Sequence, residues 1–346
     1  MLFSPYALAS ALAKIYAGAE GDTGRQMSEV LGLAVDDQVL HGVFNELDRQ
    51  FERQARQGDF VFHVVNALMV DDAVQLRGDY LDLLATHYDD GVHTLDFSGG
   101  PDLSRRAVNQ WVAAQTNNRF PDHLPEAAMD DPRGLALASA IYFHARWQYR
   151  FDSSDTGRRA FRGADGSTSE VEMMRGEKAY RFFRDGRTRA AALRYDGANV
   201  SFLAIKPATE EQDFRAWSEE LDGDYFRDIV DGLGRFAEGE VGLPKFTLQT
   251  TTDLEDVLSE LGVTSPFDAE VADLSAISEN GELFVAHAAQ GAVIEIDEHG
   301  GHAEFEQLEH RAGAAGQAMH FDRPFYFAVY DQATDTILLL GRVVEL

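Results

Sequence analysis

His299, His302, Glu304 and Glu306 lie close together late in the chain and carry side chains of the kind that bind metals. They fall in a polar interval rich in glycine and alanine, whereas a closed metal site needs ligands held by a further layer of hydrogen bonds. Solvated loop residues are the preferred reading, and neither a metal nor any other cofactor is expected. No Gly-rich phosphate loop, no His-x-x-x-His or His-Glu-x-x-His helix and no Gly-x-Ser-x-Gly elbow occurs. In a chain with 59 Asp and Glu, any carboxylate pair reads better as solvating surface than as an acid–base couple. No nucleophile with a positioned base can be named, so no catalytic residue is assigned and an enzyme is the least favoured class.

Against the 59 carboxylates stand 30 Lys and Arg, a formal net charge of -29 spread along the whole chain. Nucleic acid and anionic membrane are therefore poor partners. Only Lys14, Lys178, Lys206 and Lys245 are lysines. Arginine replacing lysine under a carboxylate-rich surface resembles the proteome style of salt-loving archaea. Like charge of this density repels itself, and molar salt, with a Debye length of about 3 Å, relieves the repulsion. Cysteine is absent, which excludes disulfides and thiolate metal sites. No stretch is apolar for long enough to span a bilayer as a helix. The opening Met1-Leu-Phe-Ser-Pro has no basic region followed by an apolar one, so no signal peptide is visible.

Ser4 and Pro5 read as a helix start, with Leu8, Ala11, Leu12 and Ile15 on one face of a helix to about Ala17. A second helix is expected from near Asp22 to Gly32. Phe60 to Val70 reads as a long buried strand, followed by a helix over Tyr80 to Tyr88, a short strand over Val92 to Phe97 and a helix over Ala107 to Thr116. Leu135 to Phe143 is apolar enough for a fully covered strand. Strands are expected from Thr168 to Ile205, then helices near Phe214 to Leu221 and Tyr225 to Leu233. Leu254, Val257, Leu258 and Leu261 mark the clearest helix face, closed by Gly262. Two late strands, Leu283 to Asp297 and Pro324 to Glu345, bracket the polar interval. Strands and helices alternate without a βαβ rhythm, so the pattern favours a single α+β domain over residues 1–346.

Five separated segments resemble the serpin family, in the family's order. They are FSPYALASALAKIYAGAEGDTGRQM (Phe3 to Met27), VNQWVAAQTNNRF (Val108 to Phe120), ASAIYFHARWQYRF (Ala138 to Phe151), the most specific stretch from Leu243 to Ser278, and RPFYFAVYDQATDTILLLGRVVEL (Arg323 to Leu346). The resemblance implies the serpin fold, an α+β domain of three β-sheets and about eight helices with an exposed reactive-centre loop from about Glu298 to Phe321. It starts at Phe3, which leaves no room for the family's first helix and points to a truncated or wrongly chosen N-terminus, with which any export signal would have been lost. An extracellular location follows from the resemblance, with the cytoplasm of a high-salt cell as the alternative.

The resemblance further implies a monomer that traps a target serine protease: the protease acylates itself on the loop, which then inserts into the main sheet. Counting from Gly300 places the reactive bond at Ala314-Ala315, which suits subtilisin-like or elastase-like proteases. Glu298, Gly300, Gly301, His302 and Ala303 form the loop's hinge. On insertion Gly301, Ala303, Phe305, Gln307 and Glu309 face inward. Phe305 is bulky there, and an ionised Glu309 is costly to bury. His302, Phe305 and Glu309 motivate the alternative, a non-inhibitory binding or chaperone-like serpin whose loop is only a substrate. Lys245 and Trp147 match contacts at the strand top. Lys245 pairs with Glu298 or is a solvated strand end; Trp147 underlies the loop's entry and is compatible with plain core packing. Ser4, Ala7, Ser139 and Gln290 match the cluster that must part for insertion, where the family has two serines, an Asn and a His.

The charge yields the first prediction. Thermal unfolding in dilute buffer and in molar KCl should show a higher melting temperature in salt, and a flat profile would refute the self-repulsion argument.

Overall fold

Residues 1–32, 37–57, 60–88, 91–97, 99–116, 118–125, 131, 134–197, 199–279, 283–300 and 317–346 are described by a computed structural model. Along the chain come β1 (Leu2–Phe3), α1 (Pro5–Tyr16), α2 (Gly21–Val30), α3 (Asp37–Gln57), β2 (Phe60–Asp71), α4 (Gly78–His87) and β3 (Val92–Leu95). Next are α5 (Pro101–Gln115), β4 (Gly134–Ala145), β5 (Gly157–Arg162), β6 (Thr168–Arg184), β7 (Thr188–Arg194) and β8 (Val200–Pro207). They are followed by α6 (Phe214–Glu219), α7 (Gly223–Asp231), β9 (Ala237–Pro244), β10 (Phe246–Asp253) and α8 (Leu254–Glu260). The last four are β11 (Phe284–Ile296), β12 (Gln317–His320), β13 (Phe325–Asp331) and β14 (Thr336–Val343).

β10, β11, β4, β2 and β3 form a five-stranded sheet in that order. Period-two alternation gives it two different faces. Leu135, Leu137, Ile141 and Phe143 of β4 join Ala288, Ala292 and Ile294 of β11 in a core shared with Ala7, Ala11 and Ile15 of α1. Ala136, Ala138 and Ala140 of β4 and Ala289 and Val293 of β11 instead join Val108 and Val112 of α5. Both faces are covered, which is why β4 reads as an unbroken apolar run. Large side chains on one face and alanines on the other let α5 lie close.

Among the described residues a second sheet has nine strands, β1-β14-β13-β8-β7-β6-β9-β12 with β5 on β6. Its hinge is β6, seventeen residues long. The first part of β6 pairs with β5 and with β9, and Arg181–Arg184 pair with β7. Two of the three expected sheets are thus joined through one strand. The α+β class and the eight α-helices, counted among the described residues, agree with expectation.

Several parts of the expected pattern need correction: the late stretch read as one strand, Pro324 to Glu345, is the antiparallel pair β13 and β14, and β5, β9, β10 and β12 were not anticipated. The helix near the end of the β10 segment is as expected, but its inward face is narrower: Leu254 and Leu258 are 2% and 1% exposed, whereas Val257 and Leu261 are 39% and 60% exposed. Seven residues make two turns, and only the pair at i and i+4 reaches the core. Another miss is α3. Its buried Leu40, Phe44 and Phe51 and the packed Leu47 follow the i, i+4, i+7, i+11 rhythm of a helix, a signal left unread.

The corrected face of α8 is testable. Urea unfolding should show Leu258→Ala losing about 2–5 kcal/mol to a buried cavity, and Leu261→Ala changing stability by less than about 0.5 kcal/mol.

Candidate functional site

β4 and β11 are direct neighbours in the middle of the five-stranded sheet, and they run parallel, paired from Phe284↔Gly134 to Ile294↔Phe143 with one shift of register between Val285 and His287. Ser139 and Gln290 are register partners across this seam. The Gln290 Oε1 accepts from the Ser4 amide at 2.7 Å, and its Nε2 donates to the Ser4 carbonyl at 3.2 Å and to the Ser139 Oγ at 3.3 Å. One side-chain amide therefore ties β11 to β4 and to the start of α1. The Ser4 Oγ caps α1 by accepting from the Ala7 amide at 3.0 Å, and it donates to the Leu338 carbonyl at 2.6 Å. Ser4, Ser139 and Gln290 are all buried, so each bond replaces water that the site excludes. Ala7 contributes only backbone. Sequence reasoning missed Asn66, the register partner of Ser139 on β2, whose Nδ2 donates to the Ala7 carbonyl at 3.0 Å. A lone amide in an apolar strand was the available signal.

Residues 118–125 and α5 roof the other face of the seam. Phe120 covers Gly291, where a Cβ would come within 2.8 Å of the ring. The His123 Nε2 donates to the Ala289 carbonyl at 3.3 Å, and burial pushes this imidazole down to about 4. Arg119 pairs with Glu295 at 2.9 Å, and the Gln249 side chain donates to the Arg119 carbonyl at 2.5 Å. Asn109 of α5 clasps Leu124 through both backbone groups, at 3.2 and 2.7 Å.

At the upper end of β11 the chain turns through Asp297 to Gly300. The Lys245 Nζ lies 3.0 Å from the Glu298 Oε2 and 3.8 Å from Glu172. The Thr156 Oγ1 donates to the Glu298 Oε1 at 2.8 Å. Partial burial pushes the Glu298 carboxyl up, but the hydrogen bonds from Lys245 and Thr156 and the ammonium charge outweigh it and hold the group below the usual carboxylate range. The same pair holds the Lys245 ammonium above its ordinary value. The Trp147 amide donates to the His299 carbonyl at 2.9 Å and its indole to the Asp297 carbonyl at 2.8 Å, while its ring stacks on Tyr195 at 4.6 Å. Trp147 is thus both core packing and a fastening for the strand top. Gly300 has φ 103, and a Cβ there would meet the Ala145 carbonyl at 2.5 Å. Only glycine suits that position.

Lys245, Glu298, Trp147 and Gly300 therefore come together, as do Ser4, Ser139 and Gln290. Gly301, His302, Ala303, Ala314 and Ala315 lie outside the described residues, as do Glu304, Glu306, Phe305, Gln307 and Glu309. Among the described residues no group of three or more His, Asp or Glu is placed to hold a metal. Thr156 had no signal in the sequence. Asp297 had one, since Asp followed three places later by Gly is a turn pattern.

The model of the family described as Serpin (serine protease inhibitor) matches residues 1–346. Among similar proteins are an uncharacterised serpin-like protein of Methanosarcina acetivorans, 28% identical over 99% of this chain and 81% of that protein, and one of Thermococcus kodakarensis, 30% identical over 100% and 80%. Plasminogen activator inhibitor 1 of Bos taurus is 30% identical over 100% of this chain and 86% of its own. The crystal structure of native protease nexin-1 with heparin superposes with a TM-score of 0.89 at 24% identity, covering 100% of this chain and 92% of that one. This chain belongs to the serpin family and has the serpin fold. The comparisons do not support the narrower expectation of a salt-loving archaeal source.

The strand-top pair makes a pH-dependent prediction. Lys245→Ala should cost about 1–2 kcal/mol at neutral pH, a value reduced because the lysine is one-third exposed and screened. Because the folded-state pKa of Glu298 is depressed, the stabilisation is fully present above the ordinary 4.5 and is lost as pH falls through the folded value. Chemical denaturation across pH 3 to 7 should show the wild-type advantage shrinking only at the acid end.

Proposed function

We propose that the chain inhibits a serine protease by suicide-substrate trapping, with the reactive loop inserting between β4 and β11. The protease's serine attacks the Ala314 carbonyl, the peptide bond to Ala315 breaks, the new amine departs and an ester joins loop to enzyme. Insertion of the loop then carries the enzyme away before water cleaves the ester. The observation that carries this reading is the parallel contact of β4 with β11 in a sheet of five strands. A strand entering antiparallel to both replaces one parallel ladder with two antiparallel ones, the more stable kind. About ten inserted residues, at roughly 0.5–1.5 kcal/mol per ladder bond plus buried apolar area, supply on the order of ten kcal/mol.

Gly301, His302 and Ala303 serve as the hinge in this reading, and the small Ala314 favours subtilisin-like or elastase-like targets. The protein acts as a monomer, and it is a substrate that traps its enzyme instead of an enzyme itself. We place it outside the cell, where such proteases work, and read its carboxylate excess as suited to high salt. Phe305 and Glu309, at inward positions of the inserted strand, favour a second reading, a non-inhibitory binding or chaperone-like role.

Mixing the protein with subtilisin and with elastase in high salt separates the two. Trapping predicts an SDS-stable complex, together with a cleaved form that melts far above the intact one. Clean cleavage with an unchanged melting temperature would end the inhibitory reading.

A further inference from the structure

Asp297 follows the last residue of β11. Its Oδ1 accepts from the amides of His299 at 2.8 Å and Gly300 at 2.9 Å, and its carbonyl accepts from the Gly300 amide at 3.1 Å. Asp297 to Gly300 is thus a hydrogen-bonded reversal that ends on a glycine with φ 103. The reversal is also fastened to the chain that leaves β4. The Trp147 amide donates to His299, the Phe151 amide donates to the Glu298 carbonyl at 3.0 Å, and Gly300 lies against the backbone of Ala145 to Trp147.

A strand that re-enters the sheet beside β11 must run opposite to β11, so it needs a reversal at this point. We propose that Asp297 is a positioning residue for loop insertion: its carboxylate keeps the reversal formed in the intact protein, before any protease acts. This inference rests on the trapping mechanism proposed above. Ordering backbone residues is entropically costly, and an order already present is not required again during the step that uses it. Insertion competes with hydrolysis of the ester, so time not spent forming the turn shifts the outcome towards trapping.

The test compares Asp297→Ala, which removes the acceptor, with Asp297→Asn, which keeps one. Amide hydrogen exchange should show lost protection at His299 and Gly300 in D297A and retained protection in D297N. With subtilisin, D297A should need about tenfold more inhibitor per trapped protease, the scale set by losing two side-chain hydrogen bonds. D297N should stay within about threefold of wild type, and all three proteins should lose their intact loop at the same rate. Full protection in D297A would overturn the inference while leaving trapping intact. A lower requirement in D297A would also overturn it, since the turn would then be a brake that insertion has to break. A wild-type protein that is only cleaved would instead remove the trapping mechanism, and the turn's use with it.

Discussion

Two strands that reach the middle of one sheet from distant parts of the chain, β4 and β11, meet side by side in parallel, and the rest of the molecule is arranged around that contact. Parallel pairs cannot be joined by a short hairpin. Here 138 residues separate the end of β4 from the start of β11, so no tight connection holds the two strands together. What holds them is the ladder itself, the Gln290 amide on one face and the roof of α5 and residues 118–125 on the other. Each of these is made of bonds that can break and form again.

The sheet was legible in the sequence because its central strands are buried on both faces and read as continuous apolar runs. The helices were legible where caps punctuate them, as at Ser4 and Pro5. α8 was over-read because periodicity counts apolar residues without knowing where a short helix meets the core. β6 could not be read as a bridge between two sheets, since β7 and β9, which pair with its two parts, both follow it in the chain and register is set in three dimensions. Of the site, Lys245 and Glu298 were found through the family resemblance, and the lysine drew notice because the chain has so few. Thr156 reaches the site through tertiary packing alone, whereas Asn66 is brought there by its register with Ser139.

The charge pattern has a local counterpart. Many ion pairs among the described residues are exposed on both sides, such as Arg25 with Asp22 and Arg56 with Glu52, and pairs of that kind contribute little to stability. Lys245 with Glu298 differs, because the carboxylate is largely shielded and receives a second hydrogen bond from Thr156. In a surface dominated by carboxylates, a shielded carboxylate of this kind keeps more of its attraction to a cation in salt than the exposed pairs do.

The roof over the seam is anchored unevenly. The polar ties of residues 118–125 run to β10 and β11, through Gln249, Glu295 and the Ala289 carbonyl. Helix α5, by contrast, shares its apolar contacts with β2 and β4 as well. The pair of bonds by which Asn109 grips Leu124 therefore joins the part of the roof tied to β10 and β11 to the helix that also rests on β2 and β4.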